Sequence, residues 1–582
     1  MSLRVRWLGR VEYHDALALQ RALFAGTTED YLLLLEHPHT YTLGVRADAA
    51  HVLVDPHDVG ATMVRADRGG DVTYHGPGQL VGYPILTLAD HASGEMPSTR
   101  EHVLNIEGLL IDALADLGLP SAGIVDGSPG VWLDADGLRP RKIAAVGVKI
   151  ARGRSMHGFA LNVDPDPAMF GHIVPCGIAD KPVTSLRAEG VDATMREVVD
   201  AVVARAIERF SQGSDVDRAD VVWRASATDT DLAPFSRGEG PGATVRYSSH
   251  TTQFDRSVLR PQSDRSVLRP QSDGTSLRLL GRLAEAGVSE HVPITDHKPE
   301  WMRAKVRLDA DVLRVRSTLR DSGLVTVCEE AGCPNLSECW SDGTATFMLC
   351  GERCTRACGF CLVDTSKPLP LDPDEPRRVA DAVATMGLRF AVLTMVARDD
   401  LSDGGAAHVA ATIDAIHERV PGASVEALIS DLRGDERALQ AVFDSRPEVL
   451  NHNIETVARL QRAVRPSASY ARSLSVLGRA KAAGLTTKSG FVAGMGETFD
   501  EVVQTLADLA AVGVEIVTIG QYLRPTSHHL PVERWWAPDD FERWKEIGEG
   551  FGIGHVESSP LTRSSYHARQ ASEAAAPTSA VR

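Results

Sequence analysis

Seven of the eight cysteines fall within residues 328–361. Six of them form two triplets: Cys328, Cys333 and Cys339 in "CEEAGCPNLSEC", and Cys354, Cys358 and Cys361 in "CTRACGFC". A segment this rich in thiols must fold around something. The chain opens "MSLRVRWLGR", without the apolar stretch of a secretory signal. No run reaches the roughly eighteen apolar residues that argue for a membrane span. Both features point to the cytoplasm, where thiols stay reduced and clustered cysteines mean metal rather than disulfides. A zinc site would close a tetrahedron with two further Cys or His ligands, yet no C-x2-C or H-x3-5-H pair follows Cys361. A cubane iron–sulfur cluster takes one thiolate per iron, so three thiolates leave one iron open to a small molecule. A disulfide pair or a zinc knuckle is the competing account of the same cysteines.

At 582 residues with 43% hydrophobic content, the chain is expected to form several domains with real cores. Its formal charge of −17 argues against nucleic acid and against an anionic membrane surface, both of which call for a basic face. Partners are then small molecules or proteins. Residues 236–274 are polar, bear Gly and Ser, lack apolar periodicity, and contain "DRSVLRPQS" twice in tandem. One exact repeat is no solenoid. We read 223–275 as a flexible linker between folded regions at 1–222 and 276–572, with a disordered tail at 573–582.

The C-terminal half alternates strand-like runs with amphipathic helical stretches. The runs are "ATFMLC", "RFAVLTMV", "SVEALI", "VLNHNI", "TKSGFVAG" and "EIVTIGQY". β/α units in series predict a parallel sheet curled as a partial (β/α)6 barrel. "CTRACGFC" follows directly on the first strand, at the end where barrel active sites lie.

The C-x3-C-x2-C spacing resembles the signature of radical S-adenosylmethionine (SAM) enzymes. From "KPEWMRAK" to "RSSYHA" the half is similar to lipoyl synthases, through "CEEAGCPNLSECW", "CTRACGFC", "RDDLSDGGA", "VLNHNIETV", "KSGFVAGMGET", "GQYLRPT" and "RSSYHA". The resemblance implies two 4Fe–4S clusters. Cys354, Cys358 and Cys361 would hold the SAM-binding one. Cys328, Cys333 and Cys339 would hold an auxiliary cluster that donates sulfur, with Ser565 as its fourth ligand and Ser564 the alternative. An alkoxide is a harder ligand than thiolate, which suits a corner that must come apart. "GFVAGMGE" would pack near SAM's adenine. The implied reaction inserts two sulfurs, at C6 and C8, into an octanoyl chain already attached to a carrier lysine, with a flavodoxin- or ferredoxin-type electron donor. Cys350 stands where the family usually has an aliphatic residue and is read as a small buried hydrophobe.

In the N-terminal half Lys142 opens the apolar run "RKIAAVGVKI", an odd place for a charge, and Cys176 sits alone in "HIVPCGIADKPVTSL". A base beside a thiol generates the thiolate nucleophile. Residues 1 to about 222 resemble octanoyltransferases of the biotin/lipoate ligase α+β fold. The resemblance rests on "LLLLEHPHTYTLG", "RGGDVTYHGPGQLVGYPI", "DGSPGVWL", "RKIAAVGVKI", "HGFALNV" and "IVPCGI". It implies that Cys176 takes octanoate from acyl carrier protein as a thioester, with Lys142 as general acid/base. The acceptors would be lipoyl-domain proteins, the 2-oxoacid dehydrogenase acyltransferase subunits and the glycine cleavage H protein. The acyl pocket maps to Arg68, Gly69, Gly70, Asp71, Val72, Thr73, Tyr74 and His75, to Ala145, Val146 and Gly147, and to Gly158, Phe159 and Ala160. A lipoate–protein ligase would use ATP and need no cysteine, so "PCG" favours the transferase. The expectation is a bifunctional lipoate-biosynthesis enzyme. The alternatives are that one half is inactive, that the chain is a two-cluster tRNA-thiolating enzyme, or that it is a non-catalytic metal-binding scaffold.

Overall fold

The computed structural model describes residues 3–88, 98–174, 182–211, 213, 215–221, 298–302, 335–341, 343–526 and 529–575. The tandem repeat, Cys176, Cys328 and Cys333 lie outside the described residues. The chain divides into two compact units, Met1–Trp223 and Arg224–Arg582.

The first unit is built on an eight-stranded sheet. Its strands, in chain order, are β1 (Leu3–Arg10), β2 (Asp30–Glu36), β6 (Gln79–Ile85), β7 (Ala122–Val125), β8 (Ser128–Leu133), β9 (Arg141–Ala151), β10 (Arg154–Asn162) and β11 (Val216–Asp220). Their spatial order is β11-β1-β2-β6-β10-β9-β8-β7. β1 runs parallel to both neighbours, while the pairs from β2 to β7 are antiparallel. The central strands read as near-continuous apolar runs because both faces are covered: every residue of β6 and β10 is buried. Helices Thr99–Asp116 and Met195–Phe210, each opened by a Ser/Thr…Glu capping box, bury Leu109, Leu110, Val198 and Val202 against Leu32, Leu34, Leu80 and Leu161. A smaller sheet, β3 (Thr40–Leu43) between β4 (Thr62–Arg65) and β5 (Val72–His75), carries its own core around Tyr41, Val72 and Tyr74.

The second unit is a seven-stranded sheet whose order follows the sequence. Its strands are β12 (Thr344–Leu349), β13 (Phe390–Met395), β14 (Ser424–Leu428), β15 (Val449–Asn451), β16 (Thr486–Ala493), β17 (Ile516–Gln521) and β18 (His555–Ser558). Every neighbouring pair is parallel. Six were expected from their apolar runs; β18, "HVES", has one fully buried residue and gives no such run. Strand alternation separates the two faces. Ala391, Leu393, Val425, Ala427 and Leu450 pack with helix residues Val379, Val383, Ile413, Ile416 and Leu439. Phe390, Val392, Val449 and Ile516 face the other way, onto Ala568 and Ala571. Connecting helices thus cover one face in the manner of a partial (β/α) barrel. Helix Ala568–Ala575 closes the opposite face near the strand starts, and it takes in residues 573–575, which the sequence placed in the tail.

Candidate active sites

In the first unit, Lys142 lies at the start of β9 and is 7% exposed. Its Nζ donates to the Pro129 carbonyl at 3.2 Å and stands 4.6 Å from the centre of the Trp132 ring. The Lys142 backbone bonds to residues that follow the segment bearing Cys176, a segment outside the described residues. Its N–H donates to Pro182 O at 2.9 Å, and its carbonyl accepts from Thr184 N at 2.9 Å. At the other end of that segment, Val174 N donates to His51 O at 2.8 Å.

The expected pocket residues group around β9, β10 and β5. The register sets Ala145, Val146 and Gly147 directly opposite Ala160, Phe159 and Gly158. Gly69 N donates to Val148 O at 3.0 Å, which lays the Arg68–Gly70 turn on β9. A Cβ at Gly147 would stand 3.0 Å from Gly69 O, and one at Gly158 would stand 2.3 Å from Gly82 O. These glycines therefore serve close packing in any case. Buried Arg68 donates to Thr42 O and Oγ1 at 2.7 and 2.8 Å, and Asp71 takes His51 Nδ1 at 2.6 Å. Thr73 pairs with Thr42 on β3. Val72 and Tyr74 point into the small sheet's core, with the Tyr74 hydroxyl 2.7 Å from His39 Nδ1.

His75 is joined by residues the sequence reading passed over. His75 Nδ1 meets Gln79 Oε1 at 2.8 Å, its ring stacks on Tyr13, and it meets the His37 ring edge-on at 5.7 Å. His37 Nε2 lies 2.7 Å from the Tyr83 hydroxyl, and His157 Nε2 lies 2.9 Å from Asp67 Oδ1. Burial depresses the His37 pKa to about 4. Burial, then His37 and Arg68, hold His75 far below the usual imidazole value. Burial also lowers His157, partly offset by Asp67. These imidazoles are neutral at pH 7. The signal was present as histidines inside the runs "LLLLEHPHTYTLG" and "SMHGFALN".

In the second unit, Cys354, Cys358 and Cys361 follow β12 on one loop. Cys354 N donates to Asp364 O at 2.8 Å, Gly359 N to Val464 O at 2.8 Å, and Cys361 N to Cys358 O at 3.2 Å. His529 Nε2 caps the Cys361 carbonyl at 3.0 Å. Burial, and then the neighbouring Cys358 sulfur, push the Cys354 thiol up to about 11 and raise Cys361 further. The three sulfurs are thus close enough to feel one another. A cubane takes one thiolate per iron, so three thiolates on one loop match three of its four corners. The donor set fits an iron–sulfur cluster.

Arg356, inside the triplet, is clamped by Asp399 at 2.8 and 2.8 Å and by fully buried Asp431 at 2.6 Å. "GFVAGMGE" ends β16, and Glu497 accepts from Gly494 N, Met495 N and Trp536 Nε1 at 2.5, 3.0 and 2.7 Å. Cys350 is 2% exposed in the core, as its reading as a hydrophobe required, and adopts φ +66°.

Of the residues expected to hold an auxiliary cluster, Cys339 and Ser565 are described. Asn335 Nδ2 donates to Leu561 O at 2.8 Å, and the Tyr566 hydroxyl donates to Glu338 Oε2 at 3.2 Å. These bonds bring the Cys339 helix onto the "RSSYHA" turn, where Cys339 contributes to raising the Tyr566 pKa.

The family model for the lipoyl protein ligase A/B catalytic domain matches residues 12–207, and that for the radical SAM superfamily matches residues 348–509. The lipoyl synthase of Rubrobacter xylanophilus is 54% identical over 278 residues, which is 47% of this chain and 87% of that protein. The chain belongs to the lipoyl synthase family. A second lipoyl synthase, from Mycobacterium tuberculosis, is 53% identical over 273 residues, covering 47% of this chain and 88% of its own length. The family relationship therefore covers the second unit, while the first carries a lipoyl protein ligase-type catalytic domain. An archaeal bipartite lipoate protein ligase from Thermoplasma acidophilum matches 38% of this chain and 88% of its own, at 18% identity and TM-score 0.32. Membership in the lipoyl synthase and radical SAM families implies SAM and iron–sulfur clusters. Among the described residues no helix is long and apolar enough to cross a membrane.

Proposed function

We propose that the chain carries out two consecutive steps of protein lipoylation, with residues 1–222 and 276–572 as the catalytic regions and 223–275 as their tether. The carrying observation is the presence in one chain of a lipoyl protein ligase-type domain and a lipoyl synthase half. In the first step the Cys176 thiolate attacks the thioester carbonyl of octanoyl-acyl carrier protein, and the carrier's thiol leaves. The amine of a lipoyl-domain lysine then attacks the Cys176 thioester, forming the amide and returning the thiol. Lys142 takes and gives back the proton. Its Nζ is packed against Trp132 and Pro129, and its backbone is hydrogen-bonded to Pro182 beyond the cysteine segment. The neutral histidines and close-packed glycines beside β9 suit an uncharged acyl chain.

In the second step Cys354, Cys358 and Cys361 hold the SAM-binding 4Fe–4S cluster. Cys328, Cys333, Cys339 and Ser565 hold the auxiliary one. With both clusters and SAM bound, the chemistry supplied is reductive SAM cleavage, hydrogen abstraction at C6 and C8 of the octanoyl chain, and sulfur donation. Electrons come from a flavodoxin- or ferredoxin-type protein. The chain's own part is to fix the loops: Arg356 ties the SAM-cluster loop to Asp399 and Asp431, and Glu497 shapes the glycine-rich turn.

The test is mass spectrometry of a lipoyl domain incubated with the anaerobically reconstituted full-length protein, octanoyl-acyl carrier protein, SAM and reductant. Wild type should yield lipoylated domain. Cys176→Ser should stop octanoylation, because a serine hydroxyl is far less ionised than a thiol. Lys142→Ala should slow octanoylation about 100-fold or more. Cys354→Ala should stop SAM cleavage and leave octanoyl product. Undiminished octanoylation by Cys176→Ser would reject the covalent route.

A further inference from the structure

The inner face of the second unit's sheet holds an ion pair with both side chains fully buried. Lys488 Nζ on β16 lies 2.8 Å from Glu426 Oε2 on β14, and each is 0% exposed. A pair taken wholly out of water contributes little net stability against apolar residues of similar size, so its retention calls for another reason. Its surroundings supply one. The second carboxylate oxygen, Glu426 Oε1, accepts from Asn451 Nδ2 at 2.8 Å, and the same amide donates to Ser564 Oγ at 3.0 Å. Ser564 in turn donates to Asn453 Oδ1 at 3.2 Å. The Asn453 side chain is hydrogen-bonded to Glu455, a partly buried carboxylate near enough to Cys361 to raise its thiol pKa.

The direction of every bond in this chain is set from one end. A carboxylate paired with lysine can only accept, so the Asn451 amide must turn its NH2 toward Glu426. Its second N–H then points at Ser564, whose oxygen accepts it. The Ser564 proton is left to Asn453. One unit of charge, neutralised at the Glu426–Lys488 pair, thereby fixes the rotamer of a serine on the "RSSYHA" turn. The Ser564 hydroxyl is committed in both roles, whereas no hydrogen bond holds the Ser565 hydroxyl among the described residues. The register of the turn, and with it the position of Ser565, depends on Ser564 staying in place.

We propose that Glu426, Lys488, Asn451 and Ser564 form a positioning network that aims Ser565 as the oxygen ligand of the auxiliary cluster. This rests on the reading of Ser565 as that ligand. Glu426 and Lys488 are two strands apart, so the sheet itself becomes the ruler that sets where the turn sits. None of the four touches the reacting atoms; they act through Ser565.

The test uses the full chain in a Cys354→Ala/Cys358→Ala/Cys361→Ala background, so that the remaining iron belongs to the auxiliary cluster. Asn451→Ala, Ser564→Ala, Ser564→Thr and Ser565→Ala are compared in two measurements. One is amide hydrogen exchange over 561–567 in the metal-free protein, and the other is iron content with the low-temperature paramagnetic resonance spectrum after reconstitution. Asn451→Ala and Ser564→Ala should speed exchange about tenfold and shift the spectrum in the direction Ser565→Ala does, while Ser564→Thr, which keeps the hydroxyl, should restore both. Faster exchange with an unchanged spectrum would reduce the network to scaffolding and overturn the proposal, as would no change in either. An unchanged iron count and spectrum in Ser565→Ala would instead reject the serine-ligand reading itself.

Discussion

Around the first unit's candidate site buried neutral rings, His37, His75 and Tyr83, accompany the side chains of Arg68 and Lys142, whereas around the second unit's site buried cations meet carboxylates. There Arg356 meets Asp399 and Asp431, and Lys488 meets Glu426. The difference matches what each site is proposed to hold. An uncharged acyl chain is best lined by groups that carry no charge to desolvate. A cluster and a charged sulfonium cofactor need loops whose geometry is fixed by strong directional bonds, and paired ions provide them. The two units should therefore fail in different ways.

The largest expected effect is in the second unit. Asp431→Ala strips a fully buried counter-charge from Arg356 and should destabilise that unit by about 3–5 kcal/mol, with the first unit unchanged. Denaturation followed by hydrogen exchange, resolved by unit, measures this. Equal loss in both units would break the comparison.

Acid should act the other way. A histidine whose folded pKa is lowered stays neutral in the fold while the unfolded chain takes up a proton below about 6.5, so stability falls as pH drops below that value. For His37 and His102, each lowered to about 4 by burial, the loss between pH 7 and pH 5 is about 2 kcal/mol apiece. His75, lowered further, adds to this. The second unit has His452 at about 4 and should lose less. Unit-resolved denaturation at the two pH values checks it, and a steeper loss in the second unit would reverse the assignment.

The smallest effect is a control. Ser98 and Thr498 each cap a helix through a reciprocal box with a glutamate, one in each unit. Replacing either by Ala should cost about 1 kcal/mol in its own unit, read from the same denaturation curves. Unequal costs would show that the units differ in more than their buried charge.

The scaffold was legible where local pattern carries it. The apolar runs located β12 to β17, the triplet after "ATFMLC" falls just past the end of β12, and Lys142 opens β9. What escaped was long-range. His37 meets Tyr83 across 46 residues, Arg356 meets Asp431 across 75, and Lys488 meets Glu426 across 62. No periodicity reports such pairs; the only hint is a charge or imidazole inside an apolar run, as in "SVEALI" and "TKSGF". Left-handed backbone at Cys350 and His157 was equally hidden, because a sequence announces that conformation through glycine and neither residue is one.

The bond from Asn335 to Leu561 spans 226 residues. A ribosome adding about 5–20 residues per second would need roughly ten to forty-five seconds to deliver the second partner after the first has emerged. For that interval the helix bearing Cys339 is without the turn it docks on, and its thiol is open to oxidants and stray metal. On the proposed reading of Cys339 and Ser565 as ligands of one cluster, the order of synthesis means that its iron and sulfide are best supplied to the finished chain.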